Sequence, residues 1–339
     1  MKNLIISAIL VGFTIVTSKV ACARVTGPCS DCHTMHNSQQ GAPLAMVFDG
    51  STFSSTDVPN PTLLVKDCIG CHTNTQEETI VDGVPMVFNV GGTDEALAGG
   101  NFWSLTDNDA NGHNVYGIDM EGSSAMFPPP GDRNNTGITQ TGVSALACAG
   151  TYGCHGQRNV DNEFDAVKGA HHANDTLGID GSSVGLSYRF LDGILGLEDP
   201  DWEQDDSINS HNEYKGATSN TLDTMSYLCA ECHGDYHAES APGEVGTSSP
   251  WFRHPTDVVL TNDGEYAEYT TYSMVAPVAR PNPGGGGVQS QVTPGTDIVM
   301  CLSCHRAHAS PYYKIMRWDY RGWPASDTNG CAVCHTWKD

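Results

Sequence analysis

Apolar residues along this chain fall in short runs separated by polar stretches rich in Gly and Pro, and few runs hold one period for long. The longest, Leu4 to Val16, is too short to span a bilayer comfortably. Lys2 precedes it and Ala21-Cys22-Ala23 follows, the order of regions in a secretory signal cleaved before Arg24. Retention as an anchor is the alternative. A lipid anchor on Cys22 is disfavoured because Lys19 stands where an aliphatic residue is needed. Further on, Ile80, Val81, Val84, Met86, Val87 and Phe88 around Asp82-Gly83 predict a hairpin. Thr221 to His237 carries Leu222, Met225, Leu228 and Cys229 at helical spacing. Val258-Val259-Leu260 and Tyr269 to Val275, parted by Asn262-Asp263-Gly264, predict a second hairpin. Residues 37 to 66 and Pro281 to Gly287 read as loop, the latter flexible. The expected fold is mostly irregular, with short α-helices and few β-hairpins, as one domain over residues 24–339.

Composition changes this picture in one respect. Only 39% of the residues are hydrophobic, against 37 Gly and 18 Pro, so side chains alone make a small core for 339 residues. Something else must fill the interior. The formal charge of −24 argues against nucleic acid, whose phosphates need clustered Lys and Arg, and makes identical chains repel at low salt.

Cysteine spacing supplies the filler. Five segments read C-x-x-C-H: Cys29, Cys32, His33; Cys68, Cys71, His72; Cys229, Cys232, His233; Cys301, Cys304, His305; and Cys331, Cys334, His335. This is the attachment signature of haem c, in which two thiols add across the porphyrin vinyl groups and the adjacent histidine binds iron. Paired C-x-x-C knuckles also bind zinc, but zinc has no need of a histidine directly after the second cysteine in every copy. Of the 13 cysteines, Cys22 leaves with the signal, and the remaining pair stands in Cys148-x5-Cys154-His155. Three small extra residues looping out would let both thiols reach one porphyrin. A disulfide is the alternative, and the histidine beside Cys154 favours a sixth haem. The haem row then becomes the skeleton of the fold.

Six histidines are thereby proximal ligands: His33, His72, His155, His233, His305 and His335. Of the 14 histidines, His36, His113, His171, His172, His211, His237, His254 and His308 remain for six distal positions. Bis-histidine ligation throughout gives low potentials and leaves no open iron site. That favours electron transfer over a haem reductase, and no C-x-x-C-K motif is present. The favoured distal ligands are His254, held extended by Pro255, with His237, His308, His113, and one of His171 and His172; His211 is less favoured. One loop, Asp107-Asn108-Asp109-Ala110-Asn111-Gly112, resembles the opening of a calcium site, but Ile118 stands where the closing glutamate belongs, and a solvated turn is the favoured reading.

Four segments carry a family resemblance: CSDCHTMHNS at 29–38, Arg253-His254-Pro255, CLSCHRAHAS at 301–310, and the ending Cys334-His335-Thr336-Trp337-Lys338-Asp339. They resemble the outer-surface multihaem c-type cytochromes that build extracellular electron-conducting filaments. The resemblance implies six bis-histidine haems in a continuous row of alternately stacked and perpendicular pairs. It further implies secretion, head-to-tail polymerisation, and transfer of electrons from redox partner proteins to external acceptors. In such filaments His36 would ligate the haem of Cys301, Cys304 and His305 in the adjacent subunit. A monomeric periplasmic or outer-membrane-associated shuttle is the alternative. The chain departs from the family pattern in its stretched third motif.

The intact mass of the exported protein is expected to equal residues 24–339 plus six haems. Five haems with a Cys148–Cys154 disulfide would overturn the reading of the stretched segment.

Overall fold

The computed structural model describes residues 24–48, 53–90, 97–118, 129–130, 146–219, 221–237, 254–322 and 329–337. The expected signal segment 1–23, Arg253, Lys338 and Asp339 lie outside them. Among the described residues there are four short α-helices: α1 (Cys68–Cys71), α2 (Glu163–Ala166), α3 (Met225–Ala230) and α4 (Gly330–Cys334). The strands among the described residues are two to four residues long and form six separate pairs, most of them antiparallel. Each helix begins at a side-chain cap that satisfies otherwise orphaned amides. Asp67 accepts from the Gly70 amide at 2.6 Å, Thr224 from Tyr227 at 3.2 Å, and Asn329 from Cys331 at 3.1 Å. Three of the four helices hold haem-motif cysteines, so these caps fix where the motifs start.

The hairpin expected around Asp82-Gly83 forms, with Ile80–Val81 against Val84–Pro85. The second expected hairpin does not. Val258–Val259 pairs instead with Ile298–Val299. Gly264–Glu268 is a 3-10 turn, and the Tyr272 amide donates to the Ser290 carbonyl. The reason is tertiary: Glu265 and Glu268 bond to His335, Thr336 and Trp337 and draw the turn to the C-terminal motif. The helix expected from Thr221 to His237 is only α3, and Leu222 is exposed. The chain must turn after Cys229 so that His233 can aim inward. In the calcium-like loop the Asn108 and Asn111 side chains bond to the Ala110 amide and the Ser104 carbonyl, which spends them on local structure.

Packing divides among three apolar clusters. Tyr188, Ile194, Tyr214, Met225 and Met300 belong to the first, Phe88, Phe102, Leu105 and Ile118 to the second, and Leu260, Tyr269, Tyr272 and Val278 to the third. Segments distant in sequence join them: the amides of Arg24 and Val25 bond to the carbonyls of Ala173 and His171, and the His113 amide to His308. The loop read as flexible is tethered. Buried Glu213 pairs with Arg280 and accepts from the amides of Gly284 and Gln289, both at 2.7 Å.

Glu213→Ala leaves the Arg280 charge buried against a single carboxylate, Asp297 at 3.7 Å, with the Gln289 and Gln291 carbonyls at 3.1 and 2.7 Å as its remaining acceptors. Breaking a buried pair from one side costs about 3–5 kcal/mol, so the variant is expected to unfold at clearly lower denaturant than the parent. Equal midpoints would show that the tether contributes nothing.

Candidate haem-binding site

Each C-x-x-C-H motif closes one tight turn in which the histidine amide donates to the carbonyl of the first cysteine. The distances are 2.8 Å at His33, 3.0 Å at His72, 2.9 Å at His233, 3.1 Å at His305 and 2.9 Å at His335. The stretched segment makes the same bond, His155 to Cys148, at 3.0 Å. Its surplus residues are folded out by the Gly153-to-Gly150 and Gly150-to-His155 bonds. Gly150 sits at φ +83°, and a Cβ there would strike the Val160 carbonyl, so only glycine serves. Cys148 and Cys154 are not bridged to each other.

These six turns line a common cavity of about 2950 Å³ that takes in all twelve motif cysteines and all six motif histidines. Behind every motif histidine an oxygen accepts from Nδ1. The acceptors are the carbonyls of Thr62 (3.0 Å), Pro85 (2.9 Å), Arg189 (2.9 Å), Pro130 (2.7 Å) and Lys314 (3.0 Å), and for His335 the Glu265 carboxylate (3.0 Å). A carbonyl can only accept, so the proton lies on Nδ1 and the Nε2 lone pair is free to bind a metal.

Three of the carbonyls come from one repeated device. Thr62-Leu63, Arg189-Phe190 and Lys314-Ile315 are consecutive non-glycine residues in the left-handed region, with φ between 48° and 61°. Each pair forms the centre of a tight turn. The residue that follows bridges back to the motif: Leu64 to His33, Leu191 to Gly156, Met316 to His305. Nothing in the hydrophobic pattern announces these turns. The shared spelling of Tyr188-Arg189-Phe190-Leu191 and Tyr313-Lys314-Ile315-Met316 is the one signal that could have.

Five further histidines line the cavity, and each faces a motif histidine. The ring centroids are 6.2 Å apart for His33–His172, 6.4 Å for His72–His171, 6.3 Å for His155–His308, 6.2 Å for His233–His113 and 6.2 Å for His335–His254. Two metal–imidazole bonds of about 2.0 Å each, plus half the width of each ring, come to roughly 6 Å. The pairs thus have the separation of imidazoles on opposite sides of one metal, and the donor set fits haem c. Burial holds His171 down at about 4 and His308 at about 3, so both stay neutral with a lone pair to give. His308 is tightly seated, because a Cβ on Gly99 would lie 2.8 Å from its Nδ1.

The remaining histidines separate cleanly. His237, expected among the ligands, lies outside the cavity lining, with Nε2 3.3 Å from the Asp257 carboxylate. His211 stacks on Tyr272 at 3.7 Å, and its two ring nitrogens face the carbonyls of Asn212 and Gln289. Both His171 and His172 face motif histidines, where only one was expected to. His36 is exposed and away from the cavity. Among the described residues no ring faces His305 in the way the other five are faced.

Neighbouring motifs touch. The Cys68 and Cys148 thiols lie within 4.8 Å of one another and of the Glu163 carboxylate. Hydrogen bonding to Cys148 and then burial raise the Cys68 thiol, and Cys301 and burial do the same to Cys229, so these thiols are neutral.

A family model described as a doubled CXXCH motif matches residues 294–339. The chain is 23% identical to the C-type cytochrome OmcS of Geobacter sulfurreducens, over 91% of this chain and 83% of that one. Among solved structures it is similar to a filament of outer membrane cytochrome S from Geobacter sulfurreducens (20% identity, 88% of this chain and 85% of that one, TM-score 0.46). It is also similar to the OmcS nanowires of the same organism (18% identity, the same coverage, TM-score 0.47). Likeness along nearly the whole chain and the doubled motif at its end agree with the cysteine pattern: the chain is a multihaem c-type cytochrome similar to OmcS, with haem c attached through its cysteines.

Proposed function

We propose that this chain, as one domain over residues 24–339, carries electrons along six bis-histidine haems and joins head to tail with copies of itself into an extracellular filament. Haem c, when bound, supplies an iron that gains and loses one electron. The protein holds each iron on two fixed imidazoles and keeps the row continuous. The assigned ligand pairs are His33 with His172, His72 with His171, His155 with His308, His233 with His113, and His335 with His254. The observation that carries the reading is this set of five ring pairs at 6.2–6.4 Å.

Continuity has support at each step. His171 and His172 are adjacent, which ties the first centre to the second. The Cys68 and Cys148 thiols join the second to the third. The His113 ring bonds to the Ala307 carbonyl at 2.8 Å beside His308, which ties the fourth to the third. Cys229 and Cys301 join the fourth to the fifth. Cys304 lies close enough to Cys334 and Cys331 for their charges, after burial, to raise its thiol to about 12, and this proximity sets the sixth centre beside the fifth. Ligation by two imidazoles throughout keeps the potentials low.

The sixth distal ligand is His36 of a neighbouring subunit, placed on the iron held by His305. His36 is exposed beside Met35, which is 85% exposed, and His305 is the motif histidine without a facing ring among the described residues. A head-to-tail contact of this kind does not close on itself, so it propagates as a filament. OmcS of Geobacter sulfurreducens, to which the chain is similar along nearly its whole length, forms filaments described as nanowires, which supports the same reading. A secretory signal over residues 1–23 would send the product outside the cell, where redox proteins would load it and external acceptors unload it. A monomeric shuttle is the second reading, because the same lone His305 would leave one iron open in a free subunit.

His36→Ala is expected to abolish filaments in electron micrographs and to leave one high-spin, carbon-monoxide-binding centre in six. Filaments that persist with every centre low-spin would sink the proposal.

A further inference from the structure

Five of the six motif histidines donate Nδ1–H to a neutral backbone carbonyl, and His335 alone donates to a carboxylate, Glu265 Oε1 at 3.0 Å. The side chains of His335 and Glu265 are 19% and 17% exposed, so water screens the pair only in part. Neither group is there by chance of a loose terminus. Glu265 sits in the 3-10 turn Gly264–Glu268, and its own carbonyl accepts from Thr336 Oγ1 at 2.6 Å. Glu268 accepts from Thr336 Oγ1 at 3.1 Å and from Trp337 Nε1 at 3.0 Å, and Tyr266 stands edge-on to the His335 ring at 5.0 Å. Three consecutive residues after Cys334 are thus pinned to one turn, with Glu265 aimed at the imidazole.

We propose that Glu265 sets the reduction potential of the centre bound by Cys331, Cys334 and His335, lowering it below the value that a backbone carbonyl behind His335 would give. A negative acceptor makes a stronger hydrogen bond than a neutral one and leaves more electron density on the ring. The imidazole becomes a better donor through Nε2, which favours the oxidised, more positive iron. One electron enters or leaves; no bond is made or broken, and the proton stays on Nδ1. Glu265 is a positioning and tuning residue, because it touches the ligand and not the iron.

The inference rests on the assignment of His254 and His335 to one iron, and the experiment separates the two. In assembled protein, His254→Ala is expected to create one additional high-spin centre that binds carbon monoxide, and its midpoint potential is followed by spectroelectrochemistry. Adding Glu265→Gln, which keeps the shape and an acceptor oxygen but removes the charge, is expected to move that component upward and leave the five low-spin components in place. Glu268→Gln, which touches Thr336 and Trp337 but not His335, is expected to move nothing. A high-spin component whose potential ignores Glu265→Gln overturns the tuning role while the ligand pairing stands. No new high-spin centre in His254→Ala overturns the pairing itself. Should Glu265→Gln fail to mature, Glu265→Asp is read the same way, since the shorter side chain withdraws the charge from Nδ1.

Discussion

Everything in this molecule depends on aiming an imidazole. A ligand histidine in a helix bundle is held by the helix, but here the longest helix among the described residues has six residues and most strands have two. Orientation therefore comes from behind, through the Nδ1–H bond to a carbonyl placed by a separate segment. That bond fixes the tautomer and points Nε2 into the cavity. Three such carbonyls sit in turns with two successive left-handed residues, including Thr62 and the β-branched Ile315. Each left-handed residue with a side chain costs roughly 1–2 kcal/mol. Strain of this size persists only where surrounding structure over-determines it, and the bridges from Leu64, Leu191 and Met316 back to the motifs do so. A fourth left-handed pair, Trp202-Glu203, works at one remove. Its Trp202 carbonyl accepts from the Ala98 amide, and the Gly99 carbonyl then accepts from the amide of His308.

The same arrangement explains the packing. Three modest apolar clusters surround a cavity of about 2950 Å³, so the side chains form walls and the attached porphyrins complete the interior. When ligands from segments far apart in sequence share a metal, binding free energy becomes folding free energy. His172 lies 139 positions from His33, and the turn that holds His155 in place comes from Arg189. Polar ties such as Glu213 to Arg280, with the Gly284 and Gln289 amides on the same carboxylate, then help fix the loops.

Much of this was legible in the sequence, and the boundary follows the range of the interactions. Attachment is local: two thiols and a histidine within five residues, so the motifs and the scarcity of regular structure could be read directly. The looped-out backbone of the stretched segment was also readable, because Gly150 and Gly153 permit the excursion between Cys148 and Cys154. Distal positions are tertiary, and local cues misled there. His237 stands just after a motif, yet Asp257 takes it. His171 and His172 look redundant as neighbours, yet they face different motif histidines. The Asn262-Asp263-Gly264 signal marked a true change of direction but assigned the wrong partner, since the carboxylates just beyond it bond to the C-terminal motif. Cradle turns escaped notice because bulky residues are the last to be expected at positive φ.

Charge sets the terms for assembly. A chain of net −24 repels its copies, and association through scattered ion pairs would fade with salt. The exposed groups next to the two ligands of the proposed joint are of another kind. Met35 adjoins His36, and exposed Tyr313 adjoins Lys314, whose carbonyl stands behind His305. Apolar contact gains nothing from low salt, and a bond between imidazole nitrogen and iron is indifferent to it. A joint built this way would tolerate the acidic charge of the chain. One further consequence concerns the lone carboxylate. In a head-to-tail row the Cys331–Cys334 centre recurs once per subunit, so a residue that lowers its potential imposes the same step at every repeat. Glu265 would then act on conduction along the whole filament, although it touches a single imidazole.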